Sequence, residues 1–237
     1  AAAGQKTILV DADFSLGNLD VIMNFNSKYN ISHFLSGRKE IRDIIHNGPE
    51  GLEIICGVSG LEQLANIGEF QRKRMIQELD KLQNDADTMI IDTAAGITKS
   101  VISFCLAADQ VLVVTTPEAA AMTDAYAVIK VLAGNKYQGK ISVIVNMADS
   151  IAEGKKTYQH IAYVAKRFLD ADIYNAGVLL RDEQLLSAVR QRKPVVLAYP
   201  KARITTSLVA LSSKLANSSA AKCSNDNFFK KFVDWFF

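Results

Sequence analysis

The sequence predicts a three-layer α/β domain, doubly wound on a mostly parallel sheet. Three observations predict it. Short, nearly all-apolar, β-branched runs recur along the chain. Longer stretches with helical spacing lie between them. Several of the short runs end on a polar group that faces no obvious partner in the local sequence. Strands alternating with helices imply βαβ units and a parallel sheet covered on both faces. In such a sheet the functional loops lie at the carboxyl ends of the strands.

Ile8–Val10 is the first strand, with no polar side chain, as a strand buried on both faces requires. Leu52–Ile55 is the next. Glu69–Gln83 reads as a helix because Phe70, Met75, Ile76, Leu79 and Leu82 form one stripe, with Arg72, Lys73, Arg74 and Lys81 mostly on the other faces. Met89–Ile91 and Val111–Val114 are strands. Pro117 then opens a helix over Glu118–Leu132, with Glu118 at the positive end of the helix dipole. Ile141–Val145 and Gly177–Leu180 are strands; Tyr158–Leu169, Glu183–Arg190 and Thr205–Leu215 are helices. The segment Asn217–Asn227, rich in Ser, Asn and Ala, reads as a linker. It separates a domain spanning 1–216 from a final block, 228–237.

A chain of 237 residues, 49% hydrophobic, has the means to bury one sizeable core. A net charge of +2 supplies no bulk attraction to nucleic acid or membrane, so any such partner needs a local patch. Cys56, Cys105 and Cys223 are far apart and form no CxxC, which argues against a disulfide framework or a zinc or iron–sulfur site and for a reducing cytoplasm. Cys56 and Cys105 lie inside apolar runs and read as small core residues. His33, His46 and His160 sit at no metal-ligand spacing. No apolar stretch approaches the roughly 20 residues needed to span a bilayer.

The chemistry is carried by the strand ends. Ile8-Leu9-Val10 runs into Asp11-Ala12-Asp13-Phe14-Ser15-Leu16-Gly17-Asn18, Met89-Ile90-Ile91 into Asp92-Thr93-Ala94-Ala95-Gly96, and Ile141–Val145 into Asn146. A carboxylate at the tip of a buried strand is costly unless something pairs with it. A hydrated Mg2+ is such a partner, held through one or two carboxylates plus substrate phosphates. Gly96 lets the backbone come close to a phosphate and move when the phosphate leaves. A lone aspartate of this kind is as readily the cap of the next helix. DxD on one strand and DxxxG on another, in that order, are harder to attribute to capping.

These motifs resemble a family. "ILVDADFSLGNLDVIMNF" is similar to the segment after the first helix of MinD/ParA ATPases, and "TMIIDTAAGI" to their Walker B and switch II segment. "VLVVTTPEAAAMTDAYAVIKVL" and "AVRQRKPVVLAYPKA" resemble the flagellar number-regulator branch (FlhG/FleN, YlxH-like), and the similarity runs from Ala1 to about Leu215. The resemblance implies a P-loop NTPase fold, ATP and Mg2+ as cofactors, and ATP hydrolysis. It assigns Asp13 to the attacking water and, with Asp92, to Mg2+; Asp11 lies beside the metal. Gly96 senses the γ-phosphate, Asn146 faces the adenine, and the loop at Arg181-Asp182 closes over the base. The family's KGGxGK[ST] loop is absent, and nothing in the chain matches GxxxxGK[ST]. Gly4-Gln5-Lys6-Thr7 imitates only its last letters and feeds a strand. By resemblance, the first strand, that loop and most of the first helix are missing from these residues, on the order of 30 positions. Without the loop's N–H nest and lysines the carboxylates meet a triphosphate with little to offset repulsion, so this polypeptide is expected to bind ATP poorly.

The last block is aromatic. On a helix Phe228, Phe229, Phe232, Val233 and Phe236 share a face, with Lys230, Lys231 and Asp234 off it and Trp235 adjoining. Such a helix suits the interface of an anionic membrane, and MinD-type proteins carry a targeting helix at this position. The competing reading docks it on its own domain; both hold if it is docked in a monomer and released in a dimer. The expected partners are a second copy bound through ATP, an anionic membrane surface on its cytoplasmic side, and a signal-recognition-type GTPase or flagellar switch proteins. DNA is not expected, because Arg38-Lys39, Arg72-Lys73-Arg74 and Arg190–Lys193 read as solvated faces. The competing functions are a cell-division-site MinD, a DNA-partitioning ParA, and a non-catalytic module that only binds partners.

Overall fold

The computed structural model describes residues 1–13, 17–57, 77–78, 81–82, 85–219, 228 and 231–232. The chain divides into two compact units. The first comprises Ala1–Ala95, Lys99–Ala107 and Asp226–Phe237; the second comprises Gly96–Thr98 and Ala108–Asn225. Each has its own sheet and its own core.

Among the described residues the first unit holds β1 (Thr7–Ala12), α1 (Leu19–Ile22), α2 (Ile31–Leu35), β2 (Ile45–Asn47), β3 (Glu53–Ile55), β4 (Thr88–Thr93) and α3 (Lys99–Ala107). The strand order is β2-β3-β1-β4. β1 pairs in parallel with both β3 and β4, and β2 runs antiparallel to β3. The alternation of a strand sends Ile8, Val10 and Ala12 to one face, where they pack with Phe34, Ile44, Ile55 and Phe104. Leu9 faces the other way, onto Leu19, Ile54 and Cys56. Both faces of β1 are thus covered, which is why its sequence reads as an unbroken apolar run.

Two elements of this unit escape the sequence pattern. β2 is three residues long, too short for a period to register, and returns to β3 through Glu50 and Gly51 with φ of 54° and 75°. α3 shows no polar stripe: Val101, Ile102, Ser103, Phe104 and Ala107 are all buried. The buried Ser103 hydroxyl donates to the Lys99 carbonyl at 2.8 Å, which satisfies it inside an otherwise apolar helix. Of the Glu69–Gln83 helix, only Gln77, Glu78, Lys81 and Leu82 are described, all helical; the rest lies outside the described residues.

The second unit holds β5 (Gln110–Thr115), α4 (Ala119–Gly134), β6 (Lys140–Ala148), α5 (Ile151–Leu169), β7 (Tyr174–Leu180), α6 (Glu183–Arg190), α7 (Val195–Ala198) and α8 (Arg203–Ser219). Its strands run in parallel in the order β5-β6-β7. Glu118 is the N-cap residue of α4, at the helix start expected for it. α5 starts at Ile151, a turn and more before the expected Tyr158. Its cap is reciprocal: the Ser150 hydroxyl accepts from the Glu153 N–H at 3.1 Å, and the Glu153 carboxylate from the Asp149 N–H at 2.7 Å. α8 continues to Ser219, into the segment read as linker.

Candidate functional site

β1 and β4 are in register so that Asp11 lies opposite Asp92 and Ala12 opposite Thr93, at the carboxyl ends of both strands. Asp11 is buried, at 4% exposure. Its Oδ1 accepts from the Asp13 N–H at 3.1 Å, so it holds the backbone that presents Asp13. Two glycines make room for it. A Cβ on Gly17 would come within 2.8 Å of Asp11 Oδ2, and one on Gly57 within 2.5 Å of the Asp11 carbonyl oxygen. Gly57 was invisible to motif reading because its role comes from a neighbouring strand.

Burial first, then the charges of Asp92 and Asp13, push the Asp11 carboxyl above its ordinary range; hydrogen bonds from the backbone of Asp13 and Leu19 pull against this. Asp92, at an exposed strand end, is raised too, by partial desolvation of its carboxyl and then by Asp13. The structure therefore brings Asp11, Asp13 and Asp92 together. Among the described residues no group of three His, Cys, Asp or Glu forms a ready metal cage. Two or three hard oxygen donors that repel one another fit Mg2+, which keeps much of its water and takes phosphate oxygens as further ligands.

In the second unit Gly96 follows β4 with φ of 97°, a conformation open to glycine and costly for other residues. Asn146 sits near the carboxyl end of β6, and its side-chain oxygen accepts from the Met147 N–H at 2.9 Å. Met147 is left-handed, with φ of 57°. The Arg181 N–H bonds the Ala148 carbonyl at 3.1 Å, its Nε bonds the Met147 carbonyl at 3.1 Å, and the guanidinium pairs with Asp149 at 3.0 Å. The loops after β6 and β7 are thereby tied to each other. Asp182 is committed elsewhere. Its Oδ1 caps α6 by accepting from Gln184 N (2.8 Å) and Leu185 N (3.3 Å), and its Oδ2 accepts from Ile204 N (3.3 Å) at the start of α8. It thereby holds two helices, next in the chain to Arg181. Asp149 and Met147 were missed in the sequence, which carries no mark of a left-handed methionine.

Of the C-terminal block, Phe229, Lys230, Trp235 and Phe236 lie outside the described residues. Phe232 is buried at 5% exposure in the first unit, stacked on Phe104 of α3 with ring centroids 4.1 Å apart and planes 14° apart. Phe228 packs against the same core, and Lys231 is helical. Burial also pushes the Cys56 and Cys105 thiols up to about 11, as core cysteines require.

A family described as "AAA domain" matches residues 1–145. The antiactivator FleN of Pseudomonas aeruginosa is 34% identical over 215 residues, 91% of this chain and 77% of that protein. The chain belongs to the MinD/ParA family of ATPases, in its flagellar number-regulator branch. The flagellum site-determining protein YlxH of Helicobacter pylori is 35% identical over 191 residues, 80% of this chain and 64% of that protein. Among solved structures, the septum site-determining protein MinD of Pyrococcus horikoshii, complexed with Mg-ADP, matches with a TM-score of 0.72 at 18% identity, over 93% of this chain and 88% of that one. That likeness is one of fold. In this MinD/ParA-type chain, the strand ends that carry Asp11, Asp92 and Asn146 are those that open α/β sheets use for ligands.

Proposed function

We propose that the protein is a Mg-ATP-driven switch that controls flagellar number or placement by dimerising on ATP and attaching to the membrane. The observation that carries this reading is the register of β1 and β4, which sets Asp11 and Asp92 side by side with Asp13 next to them. Asp13 and Asp92 would hold Mg2+. Mg2+ held there would supply positive charge to offset that of the triphosphate. Asp13, presented by the buried Asp11, orients the water that attacks the γ-phosphorus, and ADP is the leaving group. By the family resemblance Gly96 would follow the γ-phosphate and Asn146 and the Arg181 loop would face the base; Asp182 holds the start of α6 next to Arg181.

The tail gives the switch its output. The docked Phe232 must leave Phe104 before it enters a membrane, and exposing it costs about 1.5–3 kcal/mol. One short aromatic helix barely repays that cost. Two tails on one ATP-bound dimer do, because the second binds at high effective concentration. No helix among the described residues is long and apolar enough to cross a membrane; the attachment proposed is peripheral, at the cytoplasmic face. A signal-recognition-type GTPase or flagellar switch proteins are the partners this output would reach.

The test is the flagellar count of cells whose gene for this protein encodes Asp13→Asn. The variant should lose number control, and a wild-type count would overturn the hydrolytic role. A second reading, a module that binds partners without catalysis, draws on the lack of a GxxxxGK[ST] run in these 237 residues. Calorimetry with Mg-ATP on this polypeptide tests the ground for the second reading, which micromolar binding would remove. Binding weaker than about millimolar is expected, because the N–H nest for the phosphates is not among its residues.

A further inference from the structure

We propose that Lys28, Tyr29 and Lys39 form a second anion site in the first unit, built for a phosphomonoester dianion. Tyr29 is held from behind. Its ring packs against the core beside Ile31 and Ile45, its carbonyl accepts from His46 Nε2 at 2.7 Å, and the His33 ring meets it edge-on at 5.5 Å. Two ammoniums lie over its ring: Lys39 Nζ is 4.2 Å and Lys28 Nζ 5.3 Å from the centroid. The turn after α2 delivers Lys39. Gly37 takes a φ of 71°, and the His33 carbonyl then accepts from the N–H groups of both Arg38 and Lys39, which folds the chain back over Tyr29.

Among the described residues neither Lys28 nor Lys39 has an ion-pair partner. Glu40, next in the chain, accepts from the Asp43 N–H through its backbone carbonyl at 3.1 Å, while the Asp43 carboxylate accepts from the Glu40 N–H at 3.2 Å. The two lysine charges also hold the Tyr29 hydroxyl below its ordinary pKa. Like charges drawn to one ring repel each other, and an anion between them removes that cost. A carboxylate would neutralise one. A phosphomonoester, near charge −2 at neutral pH and with several acceptor oxygens, matches two ammoniums and a phenol O–H. The group could belong to a soluble phosphate ester or to a lipid headgroup; the recognised chemistry is the same.

The test uses the full chain with ring-labelled tyrosine, the Tyr29 resonance being assigned through Tyr29→Phe. Inorganic phosphate is titrated against chloride at constant ionic strength. A saturable shift at Tyr29 is expected, and Lys28→Ala with Lys39→Ala should weaken it about tenfold or more, as the loss of charge-assisted hydrogen bonds implies. Circular dichroism checks that the double variant is folded, which its exposed and half-exposed positions favour. Vesicles of phosphatidate, a monoester, and of phosphatidylglycerol, a diester, form the second arm. Retention on phosphatidate alone, lost in the double variant, assigns the lipid source; a phosphate response without it assigns the soluble source. A shift that chloride reproduces, no saturable shift, or an unchanged response in the double variant would overturn the site.

Discussion

Asp11 shows how one buried carboxylate organises a site before any ligand arrives. It is fixed by backbone hydrogen bonds, given room by Gly17 and Gly57, and raised in pKa by burial and by its acidic neighbours. A carboxyl that sits higher in the native state than in the unfolded chain binds its proton more tightly when folded. Stability therefore falls as pH rises from the unfolded value toward the native one, and the cost persists above it. Asp11→Asn keeps an acceptor for the Asp13 N–H and removes that cost. Its melting temperature should exceed that of the wild type near neutral pH, and the gap should close in acid below 3.8. Mg2+ should raise the wild-type midpoint more than that of the variant. Thermal melts across pH check both, and a variant that melts lower at neutral pH would show that repulsion is not what strains the site.

At the scale of elements, close packing overrides local preference. Gly154 in α5 sits against β7, where a Cβ would come within 2.3 Å of Val178 Cγ1. Alanine is the better helix former by about 1 kcal/mol, but overpacking costs about 1–3 kcal/mol. Gly154→Ala is expected to lower stability in denaturant melts, and Val178→Ala in the same chain to recover part of the loss. This also explains which elements were legible. The central strands were, because burial on both faces leaves a run of apolar letters. The first turns of α5 were not: Glu153-Gly154-Lys155-Lys156 has a glycine and no stripe, and its helix rests on the Ser150 cap and on Val178. α3 was missed for the opposite reason, since a helix buried nearly all round shows no stripe either.

For the whole molecule, the last described residues belong to the first unit although α8 belongs to the second. Phe232 ties the end of the chain to the core that contains β1. Phe232→Ala should cost about 3–5 kcal/mol in denaturant unfolding, as for other buried aromatics. Liposome co-sedimentation of the same variant measures the tail's other role. Equal retention of wild type and variant would mean that this face of the tail does not meet the membrane.

The sequence by itself determined the parallel strands, the carboxylates at their ends and the family, because each is written in consecutive residues. Only the tertiary structure decided that Gly57 shelters Asp11, that Arg181 pairs with Asp149, that Asp182 caps α6 while holding α8, and that Phe232 stacks on Phe104. Those pairs are distant in the chain, and only the strand register and helix packing bring them within reach of one another.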